Sequence, residues 1–133
     1  MKRKFKVVMS GRLHRFDAKA VADEAVEYPG CYEFVVLDRE RKPLVAFVGA
    51  AAESIRTSLE AHLSGAARPN KEDLAALSLG GEVFYEFVSS SDIDCKEEHL
   101  DIAGALISRH RPPFNAGPLP STGKFSEVDL EEV

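Results

Sequence analysis

The sequence predicts an α/β domain with a small, mainly antiparallel sheet of three main strands, flanked by helices, and an added N-terminal strand and helix. Two observations support this prediction. Runs rich in β-branched and aromatic residues alternate with stretches whose apolar residues recur at helical spacing. Two of the runs are separated only by a short charged turn, which is typical of a hairpin. The length of 133 residues fits one domain with its own core.

The first 27 residues predict a strand followed by a helix. Residues 5–9 form a short apolar run after a basic start, and Gly11 ends it. Asp17 is a suitable N-cap for a helix whose apolar residues then recur at helical spacing. Pro29 and Gly30 end this helix, because proline cannot continue it and glycine tolerates a turn.

The middle of the chain predicts a hairpin and two helices. Residues 31–37 and 43–49 form the hairpin strands, on either side of the charged turn 38–42. Residues 50–64 predict a helix with Ile55, Leu59 and Leu63 on one face and Gly65 as its stop. Asn70 is a suitable cap for a short helix that runs to Leu77.

The last part of the chain predicts a strand, a long helix and a tail. Residues 82–88 form the third main strand, and a helix runs from Asp94 to about Arg109. Pro112 and Pro113 stop this helix. Its buried face is expected to contain Leu100, Ala103, Leu106 and Ile107. Residues 116–133 are rich in glycine, proline and acidic residues and predict an irregular acidic tail.

Composition limits the classes of partner. The formal net charge of −5 works against strong nonspecific attraction to a phosphate backbone, although it permits a local basic patch. No apolar run approaches the roughly 20 residues that a membrane span needs, so we expect no membrane partner. Cys31 and Cys95 lie far apart in sequence and form no CxxC pair, which favours a reduced, cytoplasmic protein.

Three short signals occur in a fixed order. They are Pro29-Gly30-Cys31-Tyr32, Phe47-Val48-Gly49 and Arg111-Pro112-Pro113-Phe114-Asn115. With the predicted helices between them, they make residues 28–115 resemble the frame of a GIY-YIG nuclease domain. The resemblance implies a hairpin that carries two tripeptides, a helix, a third strand and a closing helix with an asparagine after it. It leaves residues 1–27 as an extension and 116–133 as a tail.

The resemblance also implies a chemistry, namely phosphodiester cleavage with one divalent cation such as Mg²⁺. In that family a glutamate on the last helix holds the metal, a tyrosine activates water or orients the phosphate, and a basic residue neutralises developing charge. The positions that match this pattern and keep the family's residue are Tyr32, His62 and Asn115. The matching positions that carry a different residue are Phe47, Ala50, Ser58 and Ala103.

The substituted positions remove most of this chemistry. Phe47 has no hydroxyl, and Ala103 stands where the metal-binding glutamate is expected. A hard divalent cation needs oxygen ligands, which a methyl group does not supply. The sequence therefore predicts a catalytically degenerate domain that binds nucleic acid or a protein and needs no cofactor.

Two alternatives remain open. The first is a divergent metal-dependent nuclease in which Tyr32 and His62 act with a displaced acid, Asp101 or Glu98. The second is a protein-interaction domain without a nucleic-acid role, favoured by the net acidity and the acidic tail.

Two clusters could bind ligands of their own. Arg56, Arg109, His110 and Arg111, with the basic N-terminus, could form a phosphate-binding patch. The last three could equally be cations at a helix C-terminus, where they interact favourably with the helix dipole. Cys95 and His99 have a spacing that a metal could bridge on a helix, but nothing nearby completes a set of four ligands, so no metal site is predicted.

Overall fold

The computed structural model describes residues 1–133 and confirms the α/β class. The elements in chain order are β1 (Lys2–Met9), β2 (His14–Arg15), α1 (Ala18–Glu24), β3 (Gly30–Leu37), β4 (Pro43–Ala51), α2 (Ile55–Ser64), α3 (Lys71–Leu77), β5 (Val83–Ser89), α4 (His99–His110) and β6 (Glu127–Glu132). No helix combines the length and the apolar character needed to cross a membrane.

The sheet is larger than predicted, and it is mixed. It contains six strands in the order β4-β3-β5-β1-β6, with β2 also paired to β5. The hairpin of β3 and β4 is confirmed, and β5 pairs antiparallel with β3. β6 runs parallel to β1, so the sheet is mixed, and the prediction of three main strands is wrong. The other four strand pairings are antiparallel. β2 has only two residues, which is too short to give a sequence pattern.

The predicted irregular tail is also wrong where it forms β6. In the register of β1 and β6, Lys2 lies opposite Glu127, Lys4 opposite Asp129 and Lys6 opposite Glu131. Opposite charges in such cross-strand positions stabilise pairing. Between them, Phe5 lies opposite Leu130, and both side chains are buried. The basic start of the chain and its acidic end therefore pair with each other.

Local capping signals fix the helix starts. The side chains of Asp17 and Asn70 accept hydrogen bonds from backbone N–H groups at the starts of α1 and α3, as predicted. The predicted helix 50–64 begins only at Ile55, because β4 continues to Ala51 and Ser54 caps α2. The last helix begins at His99 rather than Asp94, after a short 3₁₀ turn at Lys96–Glu98. Leu100, expected on its buried face, is exposed.

The helices cover the two faces of the sheet unequally. Core residues of α1, α2 and α3 pack with Tyr32, Phe34 and Val36 of β3 on what we call the three-helix face. Core residues of α4 pack with Cys31 of β3 and with residues of β1 and β6 on what we call the α4 face. Alternate side chains of a strand point to opposite faces, so neighbouring residues of β3 serve two different cores.

Candidate functional site

Tyr32 and His62 form a closed hydrogen-bond chain on the three-helix face. The Tyr32 hydroxyl lies 2.8 Å from His62 Nε2, and His62 Nδ1 lies 2.8 Å from the Pro69 carbonyl oxygen. Because a carbonyl only accepts, Nδ1 carries the proton and Nε2 accepts from the phenol. Tyr32 is 5% exposed and His62 is 2% exposed. Burial raises the pKa of Tyr32 and lowers the pKa of His62, so both stay neutral near pH 7.

Phe47 and Gly49 complete the surroundings of this pair. The Phe47 ring centroid lies 5.4 Å from that of His62 and 6.4 Å from that of Tyr32. Gly49 lies opposite Tyr32 in the hairpin register, and a Cβ built on Gly49 would overlap the Tyr32 ring. The structure therefore brings Tyr32, Phe47 and His62 together, and the glycine makes room for the tyrosine.

The Asn115 side chain forms hydrogen bonds with the backbone of β4 at the edge of the sheet. Its side-chain oxygen accepts from the Val48 N–H at 2.8 Å, and its side-chain nitrogen donates to the Val48 carbonyl at 3.0 Å. The Phe114 N–H also donates to the Ala46 carbonyl at 3.0 Å. Since β4 is an edge strand, these bonds satisfy backbone groups that would otherwise be free to pair with another chain. This contact is sufficient reason for an asparagine at position 115.

The position aligned with the metal ligand lies elsewhere. Ala103 is fully buried on the α4 face, in the same cluster as Cys31 and Val48. Tyr32 follows Cys31 in β3 and packs on the opposite face. The structure therefore does not bring position 103 to Tyr32 and His62.

The two acids considered as replacements are both buried and bonded to protein groups. The Asp101 carboxylate accepts from the Thr122 N–H at 3.0 Å and from the Thr122 hydroxyl at 2.7 Å. The Glu98 carboxylate accepts from the Asp94 N–H at 2.7 Å and lies 3.4 Å from the Lys124 ammonium. They hold the segments before and after α4, and neither contacts Tyr32.

The remaining matched positions on β4 and α2 do not assemble a site. Ala50 is half-buried and packs against the α4-face cluster, whereas Ser58 is half-buried on α2. The Arg56 guanidinium donates to the Ala25 carbonyl at 2.6 and 3.0 Å and lies 3.0 Å from the Glu27 carboxylate. Arg56 thus ties α2 to the residues after α1.

The predicted basic patch does not form as one surface. Arg109, His110 and Arg111 lie at the exposed C-terminal end of α4, whereas Arg56 packs beside α1. At the N-terminus, Lys2 pairs with Glu127, and Arg3 pairs with Asp92. Arg109 and Arg111 have no carboxylate partner.

Cys95 and His99 are each engaged with other groups. The Cys95 sulfur lies 3.2 Å from the Lys124 ammonium, and His99 Nδ1 lies 2.9 Å from the Lys96 carbonyl. No set of three His, Cys, Asp or Glu side chains is arranged to hold a metal ion.

An acidic cleft on the α4 face was not anticipated from the sequence. It has a volume of about 530 Å³ and lies between the sheet and the end of α4. Its ionisable lining residues are Glu33, Glu86, Glu132, Arg109 and His110. The sequence signal was a single glutamate inside the apolar run of β3, with aromatic residues on both sides.

Glu33 is the unusual group of this cleft. Its side chain is 2% exposed, and its Oε2 atom accepts no hydrogen bond. The closest partner, His110 Nε2, lies 3.5 Å away, which is longer than an ordinary hydrogen bond. Burial, reinforced by the charges of Glu86 and Glu132 and opposed by Arg109, raises the pKa of Glu33 to about 7.

Comparisons of the chain with protein-family models, curated proteins and solved structures find no match. The GIY-YIG resemblance therefore depends only on the residues quoted above and stays a prediction.

Proposed function

We propose that this chain is a catalytically inactive, GIY-YIG-like domain that binds a partner molecule instead of cutting phosphodiester bonds. The observation that carries the proposal is the closed chain of Tyr32, His62 and Pro69. A phenol that activates water or orients a phosphate must be accessible to that water or phosphate. Tyr32 is buried, and its hydroxyl donates to His62 Nε2, with the two atoms 2.8 Å apart. The pair supports the packing of the hairpin against α2.

The residues near the expected metal position support the same conclusion. The resemblance implies a divalent cation held by a carboxylate on α4. Ala103 supplies no oxygen, and Asp101 and Glu98 are bonded within the protein on the α4 face. These residues do not fit a divalent cation next to Tyr32, and we assign no step to one.

The distribution of charge favours a protein as the partner. The basic N-terminus is paired with the acidic strand β6, which leaves no broad cationic face for a phosphate backbone. Nucleic acid is the second candidate, because Arg109 and Arg111 are exposed and unpaired at one end of α4. A cytoplasmic location belongs to the proposal and is supported by two free cysteines, of which Cys31 is buried.

A cleavage assay tests the loss of catalysis. Purified full-length chain is incubated with single- and double-stranded DNA and RNA, with Mg²⁺ or Mn²⁺, beside its Tyr32→Phe variant. We expect no cleavage above the buffer control from either protein. Metal-dependent cleavage that Tyr32→Phe abolishes would overturn the proposal.

A binding assay separates the two partner classes. Fluorescence anisotropy with labelled DNA and RNA is recorded from about 50 to 200 mM salt, the range over which phosphate contacts weaken strongly. We expect no salt-sensitive binding. Tight binding that falls with salt, and that Arg109→Gln with Arg111→Gln removes, would instead establish nucleic acid as the partner.

A further inference from the structure

The acidic cleft has a mixed lining. Its floor and walls come from apolar residues of three strands and α4, and its charged groups come from β3, β5, β6 and the end of α4. The apolar lining residues include Val7, Met9, Val35, Val45 and Leu106. A volume of about 530 Å³ lies within the range of small-molecule sites, roughly 300–1,000 Å³. The cleft can therefore hold a compact organic molecule.

The charges of the cleft are not balanced. Glu33 and Glu86 lie directly opposite each other on β3 and β5, so their side chains share one face and one neighbourhood. Burial raises the pKa of Glu86, and Glu132 of β6 adds to this effect. Arg109 is the one guanidinium in the lining, and it is exposed. Burial, with the nearby charge of Arg109, lowers the pKa of His110, so its imidazole is neutral near pH 7.

We propose that the acidic cleft binds a small organic cation, an amine with an apolar body, whose ammonium group is held by Glu33, while Glu86 and Glu132 add negative charge to the cleft. An ammonium supplies the donor that the buried Glu33 Oε2 lacks. The apolar body occupies the surfaces of Val35, Val45 and Leu106. An organic cation suits this lining better than a metal ion, because these side chains do not converge as a ligand set.

The cleft is independent of the proposed loss of nuclease chemistry. Glu33 follows Tyr32 in β3, and its side chain points to the opposite face of the sheet. Binding of an amine can therefore succeed or fail without bearing on Tyr32 and His62.

The expected pH dependence follows from the groups that face the cleft, which are Glu33, Glu86, Glu132, Arg109 and His110. A cation stabilises the ionised form of Glu33, so binding releases a proton near pH 7. The affinity for an amine should therefore rise between pH 6 and pH 8. Protonation of His110 at lower pH would act in the same direction, because it adds a competing positive charge.

The test compares 2-phenylethylamine with 2-phenylethanol, which has nearly the same shape and no charge. Binding to the full chain is followed by NMR shifts of β3 and β5 amides and by calorimetry in two buffers of different ionisation enthalpy. We expect the amine to bind at least about tenfold more tightly than the alcohol, with proton release at pH 7. Equal binding of the two probes, or no binding of the amine up to about 10 mM, overturns the proposal.

Matched variants locate the site. Glu33→Gln should weaken amine binding about tenfold and remove the proton release, whereas Arg109→Gln should tighten it by removing a repelling charge. Glu131→Gln, next to Glu132 but outside the cleft lining, should bind as the wild type does. The proposal is contradicted if Glu33→Gln binds the amine as tightly as the wild type does. It is also contradicted if MgCl₂ shifts the β3 amides and the amine does not.

Discussion

Replacing Glu33 by glutamine should stabilise the folded protein, and the gain should increase with pH. The side chain of Glu33 is 2% exposed, and its Oε2 atom has no hydrogen-bond partner. Its pKa is raised from 4.5 to about 7, first by burial and then by Glu86 and Glu132. Ionised Glu33 is therefore a buried charge without adequate compensation, and glutamine has almost the same shape without the charge.

The magnitude follows from proton linkage. The folded protein keeps the Glu33 proton to a higher pH than the unfolded chain does, so folding takes up a proton between pH 4.5 and about 7. The stability contributed by this group is present below pH 4.5 and is lost as the pH rises through 7. At about 1.4 kcal/mol for each tenfold difference in proton affinity, the loss is on the order of 3 kcal/mol.

Urea unfolding at pH 5, 6, 7 and 8 measures this difference. We expect the free energies of unfolding of wild type and Glu33→Gln to diverge with rising pH, and the variant to be the more stable at pH 8. Glu131→Gln is the control, because Glu131 is an exposed glutamate of the same sheet. Parallel pH profiles for wild type and Glu33→Gln, or a less stable variant at pH 8, would refute the reasoning.

Two further predictions concern the hairpin. Gly49→Ala places a methyl group against the Tyr32 ring and should lower the free energy of unfolding by about 1–3 kcal/mol in urea titrations; an unchanged midpoint would show that the ring moves away freely. Asn115→Ala leaves the Val48 N–H without its partner and should lower the free energy of unfolding by about 1–3 kcal/mol and speed hydrogen exchange at that amide. Native-like protection of Val48 in this variant would contradict the role of Asn115 at the strand edge.

The parts of the fold that sequence predicted well depend on local signals. Asp17 and Asn70 cap their helices within three residues, and the short charged turn brings β3 and β4 together. Capping and hairpin formation involve neighbours in sequence, so a single chain displays them directly.

β6 depends on a distant partner instead. Its acidic side chains gain from pairing only because β1 carries lysines at the opposite register positions, more than 100 residues earlier. Read alone, residues 127–131 alternate polar and apolar side chains, but with only two apolar residues this is a weak strand signal beside the glycines and prolines that precede it. The pairing could have been considered from the charge asymmetry of the two ends, but its register could not.

The candidate site was predictable only within the hairpin and α2. Tyr32, Phe47 and His62 do meet, because the β3–β4 pairing and the helix that follows fix their positions. Ala103 does not join them, because counting along a helix gives no information on which face of the sheet that helix covers. The packing of α4 on the face opposite Tyr32 is determined by tertiary contacts, which no local sequence pattern indicates.

The side chains of neighbouring residues of β3 have opposite surroundings, which bears on the face of the sheet at which we propose a ligand site. The hydroxyl of Tyr32 is bonded to His62, whose second ring nitrogen is bonded to Pro69, so this pair has no polar atom left for a ligand. Glu33, one residue later, is as deeply buried but lacks such a partner and faces a cleft with two further carboxylates. An uncompensated buried carboxylate destabilises the fold, and a bound cation would remove that cost. A cation bound on the α4 face would therefore stabilise the fold, whereas the Tyr32–His62 pair on the three-helix face stabilises the packing of the hairpin against α2.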